Sequence, residues 1–434
     1  MKTKIVSAAV AAAFFMTPII GFADEQGVVP LVLAKETVPT FEVENFPWDL
    51  PEGRTEDVTL PFGKGLLTMP WMEVEKANEN SVIINTPELM IFGEVDGEEP
   101  LVALKDTEMM VRRLGDAMAV SGYAEHLVVD GKDDARAELN GFEFALTSKG
   151  YEPTIAAMKA GDDFDSDEVQ SAFGLLALSF DYTVKSSNLN FSNSDRGGIP
   201  NKVATTSGPA EGSLVLGDNR LNLSAKTTEN TFAIDGPLST EGEIKLVSYD
   251  LSTPTKGSEE EQDIQIGFEL SDLKLDDMLW ALVDPKDIFP KELKTIKVKF
   301  SLDAILHDRR IDKIGQRTEH SDLPRLQVTR SKLTAFEFVG LGLDLSANAD
   351  VEMEGEQLRP RPKSITASLS VAGLSEFMAN AVKAGLLPQS QAILGEGIAL
   401  QFAKEKADGS LTFDVTTEDG LVSINGNRVA PLPR

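Results

Sequence analysis

The side chains able to do chemistry are few and scattered. The chain holds three histidines, His126, His307 and His320, and no cysteine. A zinc face on a helix needs ligands three or four residues apart, and a zinc protease needs H-E-x-x-H; no histidine pair has that spacing. A spatial pair of His307 and His320 would lack neighbours to complete a site, so solvated loop histidines are expected. Without cysteine there are no disulfides, thiolate metal sites, cysteine nucleophiles or lipidated N-terminal cysteine.

A serine nucleophile fares no better. G-x-S-x-G is absent, and the one S-x-x-K match, Ser271-Asp272-Leu273-Lys274, lacks the companion S-D-N and K-T-G motifs. It reads as a strand-to-helix loop in which Ser271 or Asp272 starts a turn. Gly340-x-Gly342 and Gly395-x-Gly397 are fragments of a phosphate loop, outside any parallel strand–turn–helix unit. Asp163-x-Asp165-x-Asp167 hints at a calcium loop. Glu168, however, stands where a glycine is due and Gly174 where an acid is due. A short helix from Asp167 capped by Ser166 fits better. Seventy acidic residues offer many accidental carboxylate pairs, so sugar hydrolysis cannot be read from any of them. The expectation is a protein that is not an enzyme, with no catalytic, cofactor or metal residue assigned.

Charge gives the remaining polar candidate. Formal net charge is −29, which repels nucleic acid and anionic surfaces at long range and favours solubility. Residues 307–332 run against this, with Arg309, Arg310, Lys313, Arg317, Arg325, Arg330 and Lys332 facing only four acids. Arg359, Arg361 and Lys363 form a second basic island. Such runs are usually solvated surface; Arg309, Arg310, Arg317 and Arg325 are the candidate contacts for an anion.

The elements that would carry these residues begin with an export signal. Lys2 and Lys4 precede an almost unbroken apolar run, Ile5–Ile20, and Gly21-Phe22-Ala23 supplies small residues for cleavage after Ala23. The run is short for a membrane span, and an acidic segment follows it. The expected product is periplasmic or secreted, with no transmembrane segment after processing. Residues 24–60, with four prolines, read as an extended arm. The expected division is 24–253, a linker or loop at 254–263 (PTKGSEEEQD), and 264–434, with one continuous domain as the alternative.

Period-two alternation dominates the chain. In Leu341–Met353 every odd residue is apolar and every even one polar or glycine, a pattern that only an extended chain turns into one apolar and one wet face. Leu341, Leu343, Leu345 and Val351 mark that candidate apolar face. Strands are likewise expected at Gly63–Met72, Ser81–Phe92, Ile264–Leu270, Ile296–Ala304, Ile365–Val371 and Leu411–Val415. A hairpin is expected from Glu125–Asp130 and Ala135–Leu146, and short strands fill 179–234. Helices are expected at Asp106–Val120, from the spacing of Met110, Leu114 and Met118; at Asp276–Val283; from Ser375, as cap, through Val382; and at Gln389–Lys404. Asn425-Gly426 marks a tight turn.

The block Asp276–Pro285, the Leu386-Leu387-Pro388 stop, Gly420–Gly426 and Pro431 resemble an exported Gram-negative envelope family catalogued as domain of unknown function 2125. The resemblance covers about 264–431 and is weaker before. It implies an exported β-rich protein and no known activity, so no functional residue is carried over; the basic insert is not recognised as a family feature.

One-faced strands must hide their apolar sides. The expected fold is mainly β: a large, curved antiparallel sheet or sandwich with a few short capping helices. The expected function is an envelope protein that binds a lipid or other apolar ligand on that face. A structural or protein-interaction role is the alternative, and an unrecognised hydrolase the third.

Overall fold

The computed structural model describes residues 52–62, 65–92, 100–130, 135–149, 177–193, 201–235, 239–255, 258–306, 326–354, 361–418 and 420–431. It is mainly β, with 21 strands and three short helices among these residues. The strands separate into two compact units, one of residues 1–218 with 225–239, the other of 219–224 with 240–434.

The first unit is an antiparallel meander. β1 (Gly53–Phe62), β2 (Gly65–Asn78), β3 (Ser81–Phe92), β4 (Val102–Leu114), β5 (Ala117–Asp130) and β6 (Arg136–Lys149) pair in chain order. β6 also pairs with β7 (Ala177–Val184) and β8 (Ser186–Asn193). β9 (Asn201–Ser207), β10 (Ala210–Gly217) and β11 (Arg220–Asp235) add short pairings, β10 on β7 and β9 on β8 and β11. This unit has a filled core. Val58, Met69, Met72, Val74, Val82, Ile84, Leu89 and Val111 form one buried cluster, and Ala124, Leu127, Phe142 and Val184 a second.

Here one expectation fails. Asp106–Val120 is not a helix: β4 and β5 form a hairpin in which Leu114 pairs with Ala117 across Gly115-Asp116. Fourfold spacing is even, so Met110 and Leu114 share one face of a strand as they would of a helix, and Asp106, at φ 49°, turns the pleat over before them. Leu104 and Met109 therefore both pack on the first cluster, although an unbroken strand would put them on opposite faces. The expected hairpin of β5 and β6 is present, with Asp130 opposite Arg136.

The second unit is a longer meander. β12 (Thr240–Pro254), β13 (Ser258–Leu275), β14 (Glu292–Leu306), β15 (Leu326–Gly340), β16 (Leu343–Glu354) and β17 (Arg361–Ala372) pair in chain order. β19 (Leu411–Glu418) lies on β17 and carries β18 (Lys404–Glu405) and β20 (Leu421–Ile424); β21 (Asn427–Pro431) closes on β20. The expected linker at 254–263 is largely strand instead: β12 ends at Pro254 and β13 starts at Ser258, so the acidic run is a hairpin. The Asn425-Gly426 turn is present, with φ of 50° and 83°, the left-handed pair a two-residue hairpin requires.

Helix α1 (Asp277–Val283) starts where expected. Asp276 caps it by accepting from the Leu279 N–H at 2.8 Å, and also accepts from the Glu241 N–H at 3.1 Å. Helix α2 (Leu374–Ala384) is capped by Gly373 at φ 78° with no side-chain bond, so Ser375 lies inside the helix, not at its cap. Gly385, at φ 83°, ends it in the expected way. Helix α3 (Gln389–Phe402) follows. No helix is long and apolar enough to cross a membrane among the described residues.

Candidate functional site

The candidate site is the apolar side of the second unit's sheet. Residues paired across strands share a face, so the alternation in each strand sums to transverse rows. One row runs Val247, Leu270, Ile296, Phe338, Leu345, Val371, Leu411. The next runs Tyr249, Phe268, Val298, Phe336, Ala347, Leu369, Phe413. A third runs Leu251, Ile266, Phe300, Leu333, Ala349, Ala367, Val415. Together they form an apolar lattice three rows deep and seven strands wide.

Burial is graded across these rows. In the first, beside the strand ends that lead into the helices, Val247, Leu270, Val371 and Leu411 are buried. In the second every residue is half-buried. In the third Ile266 is 48% exposed. The substantial contacts among the described residues join hydrogen-bonded neighbouring strands, together with α2 on α3. Burial also holds the Tyr249 hydroxyl protonated, with its pKa pushed up to about 12.

The opposite face is wet and cross-linked by charge. Lys297 lies 3.8 Å from Glu269 and 3.9 Å from Glu337 on the two flanking strands. Arg330 donates from Nε to Asp350 at 2.6 Å and from a second guanidinium nitrogen to the other carboxylate oxygen. That bond holds the Asp350 carboxyl below the usual carboxylate range, and burial only partly opposes it. Lys332 reaches Asp303 at 3.3 Å. The described end of the basic run is therefore paired to the sheet's own acids. Arg309, Arg310, Arg317 and Arg325 lie outside the described residues, as do His307, His320 and the Asp163–Asp167 acids.

The four apolar candidates divide. Leu345 and Val351 lie on the apolar lattice, Val351 opposite Ser331 and Ile365. Leu343 opens β16 and lines a cavity of about 340 Å³ with Val339, Leu341, Ala372, Glu292 and Lys294. Leu341 is not on the strand: it forms the β15–β16 turn with Gly342, at φ 56° and 78°. It packs on Phe289, Ala381 and Ala384, the small core that seats α2. In that core the Phe289 and Phe377 rings pack tilted at 44°, with centroids 5.6 Å apart. The buried Asp284 accepts there from the N–H groups of Ile288 and Phe289. Its second oxygen and the Trp280 indole N–H are buried without a partner among the described residues.

The chemical candidates do not converge. His126 faces Asn140 at 2.8 Å on a wet strand pair. Ser271 lies within β13, not in a loop, opposite Leu246 and Thr295. Lys274 pairs with Glu243 at 3.6 Å. Among the described residues no three His, Asp or Glu side chains gather as a metal ion would need.

Phe336, Phe338 and Leu333 on β15 belong to the lattice and had no place in the sequence reading. A register shift between Leu333 and Phe336 breaks their alternation, and the arginines and lysines nearby disguise the strand as a loop. The aromatic pair Phe336-x-Phe338 was the available signal.

The fold and this face thus define a mainly β protein with a one-sided apolar sheet. No family model matches the chain, and no curated protein or solved structure is significantly similar to it.

Proposed function

We propose that this is an exported envelope protein that binds a lipid or another apolar ligand on the lattice of the second unit, without catalysis. The observation that supports it is the contrast in burial. The first unit fills its interior with side chains at 0–9% exposure. The second presents three apolar rows, buried only at Val247, Leu270, Val371 and Leu411 of the row nearest the helices.

Burying one methylene is worth ~0.8 kcal/mol. An acyl chain laid along the rows with ten methylenes covered would gain about 8 kcal/mol before its ordering cost. No polar motif is needed for that, which fits a chain whose chemical residues are dispersed. The resemblance to the envelope family agrees with export but brings no activity.

Organic extraction and mass spectrometry of purified protein test the reading. A stoichiometric apolar molecule is expected, lost when Leu345 and Leu369 are both replaced by Asp. Repeated extraction of an empty, folded protein would count against it.

A further inference from the structure

A line of interruptions crosses the first unit from β1 to β11. Side chains on one face of a strand recur every second residue. Here buried residues of one strand stand three apart: Met69 and Met72 on β2, Thr86 and Leu89 on β3, Ala124 and Leu127 on β5, Thr227 and Asn230 on β11. The breaks fall in register. Pairing skips between Thr86–Thr107 and Glu88–Lys105, between Thr107–Ala124 and Lys105–His126, and between Ala124–Phe142 and His126–Asn140. Between β2 and β3 it stops from Thr68–Met90 to Glu73–Asn85. Beyond β6 the strands themselves divide on the same line, β7 from β8 at Lys185 and β9 from β10 at Gly208-Pro209. The residues on the line are of kinds that interrupt strands: Pro70, Pro87 and Pro209, Gly141 at φ 61°, and Asp57, Asp106 and Glu229 at φ 53°, 49° and 54°.

The line divides the sheet into two leaves, and both buried clusters draw on both. Met69 and Leu89 stand on one side, Met72 and Ile84 on the other, within the first cluster. Leu127 and Phe142 likewise share the second. Ladder bonds are what stiffen a sheet, and few bonds lie on the line. The Thr86 hydroxyl serves the Trp71 and Glu88 carbonyls at 2.8 and 2.9 Å. The Lys185 N–H donates to the Asn140 carbonyl at 2.9 Å, and the Gly208 N–H to the Thr228 carbonyl at 2.9 Å. Non-glycine residues at positive φ are strained, and such strain gathers at moving parts.

We infer that this crease is a hinge about which the two leaves of the first unit move as plates, one or two residues per strand absorbing the change in backbone angle. The interior is held unevenly. Eight buried side chains close it beside β1–β4. The second cluster, on β5–β7, has four, and Phe144, Phe180 and Tyr182 around them are only half-buried. The leaves therefore part at the β6–β10 side. The hinge does not depend on the second unit carrying a ligand.

Spin labels test it, since the parent has no cysteine. Arg112→Cys with Thr183→Cys labels one leaf twice; Arg112→Cys with Lys202→Cys labels both leaves, and all three positions are exposed. Pulsed electron double resonance should give one narrow distance for the first pair. The second should give two distances, or a distribution about twice as wide. Equal widths for the two pairs, narrow or broad, overturn the hinge. If a labelled variant loses the parent's circular dichroism, hydrogen exchange of the unlabelled protein decides. Amides of β5–β7 on both sides of the crease should exchange through one shared opening, faster than those of β2 and β3. Equal protection at the two ends would overturn the hinge.

Discussion

Met72 and Leu345 are both apolar side chains on antiparallel strands, but they meet different surroundings. Met72 is fully buried in the first unit's core. Leu345 is half-buried on the second unit's lattice. Truncating a buried Met leaves a cavity that costs about 2–5 kcal/mol. Truncating a half-buried Leu should cost about 1 kcal/mol. Urea denaturation of Met72→Ala and Leu345→Ala should show that gap; equal losses would mean the lattice is an ordinary core. Asp276 makes a second residue-scale case. Burial raises its pKa, but the bonds it accepts from the Leu279 and Glu241 N–H groups outweigh that, and the net shift is downward. A depressed folded pKa gives stability that is present above the ordinary carboxylate range and lost as pH falls through the lower folded value. Asp276→Ala should therefore cost about 1 kcal/mol near neutral pH. That difference should fade in melts taken progressively below pH 4, and a pH-independent difference would rule out the charged cap.

Single backbone positions decide where the elements begin and slip. Gly373 starts α2 at φ 78°, and a Cβ there would stand 2.1 Å from the Gly342 carbonyl oxygen. Gly342 has a similar φ but open space around it. Gly373→Ala should cost more than about 2 kcal/mol and Gly342→Ala about 1 kcal/mol, by thermal melts. Equal costs would mean that α2 does not seat against that turn. These positions also explain what was legible in the sequence. Unbroken alternation gave β13, β14, β16 and β17 directly, and Asp276 and Gly385 marked helix ends with their side chain or their absence. The strand at β4 and the strand at β15 stayed hidden, because a positive φ at Asp106 and a register shift after Leu333 each break the period. Gly373 was missed as a cap because its role is a backbone angle, and Ser375 looked like the better side chain. The lattice was legible strand by strand but not as a surface, since the alternation says which face is apolar and nothing of what covers it.

At the scale of the whole molecule, each unit solves the one-faced strand differently. The first closes its apolar residues into two clusters. The second gathers charge on its wet face, through Glu269–Lys297–Glu337 and Arg330–Asp350, and leaves the other face to side chains that shield one another only in part. Such exposed pairs contribute at most ~1 kcal/mol each, so they set which face is wet more than they hold the sheet together. The account's central claim is that this half-buried apolar face is where a lipid lies. A photo-crosslinking residue placed singly at Leu345 or Leu369, and at Ser346 or Ser370 on the other face of the same strands, tests it most directly. On irradiation of protein made in a lipid-containing host, mass spectrometry should find lipid adducts at positions 345 and 369 and none at 346 and 370. No adducts at any position, or equal adducts from both faces, would contradict it.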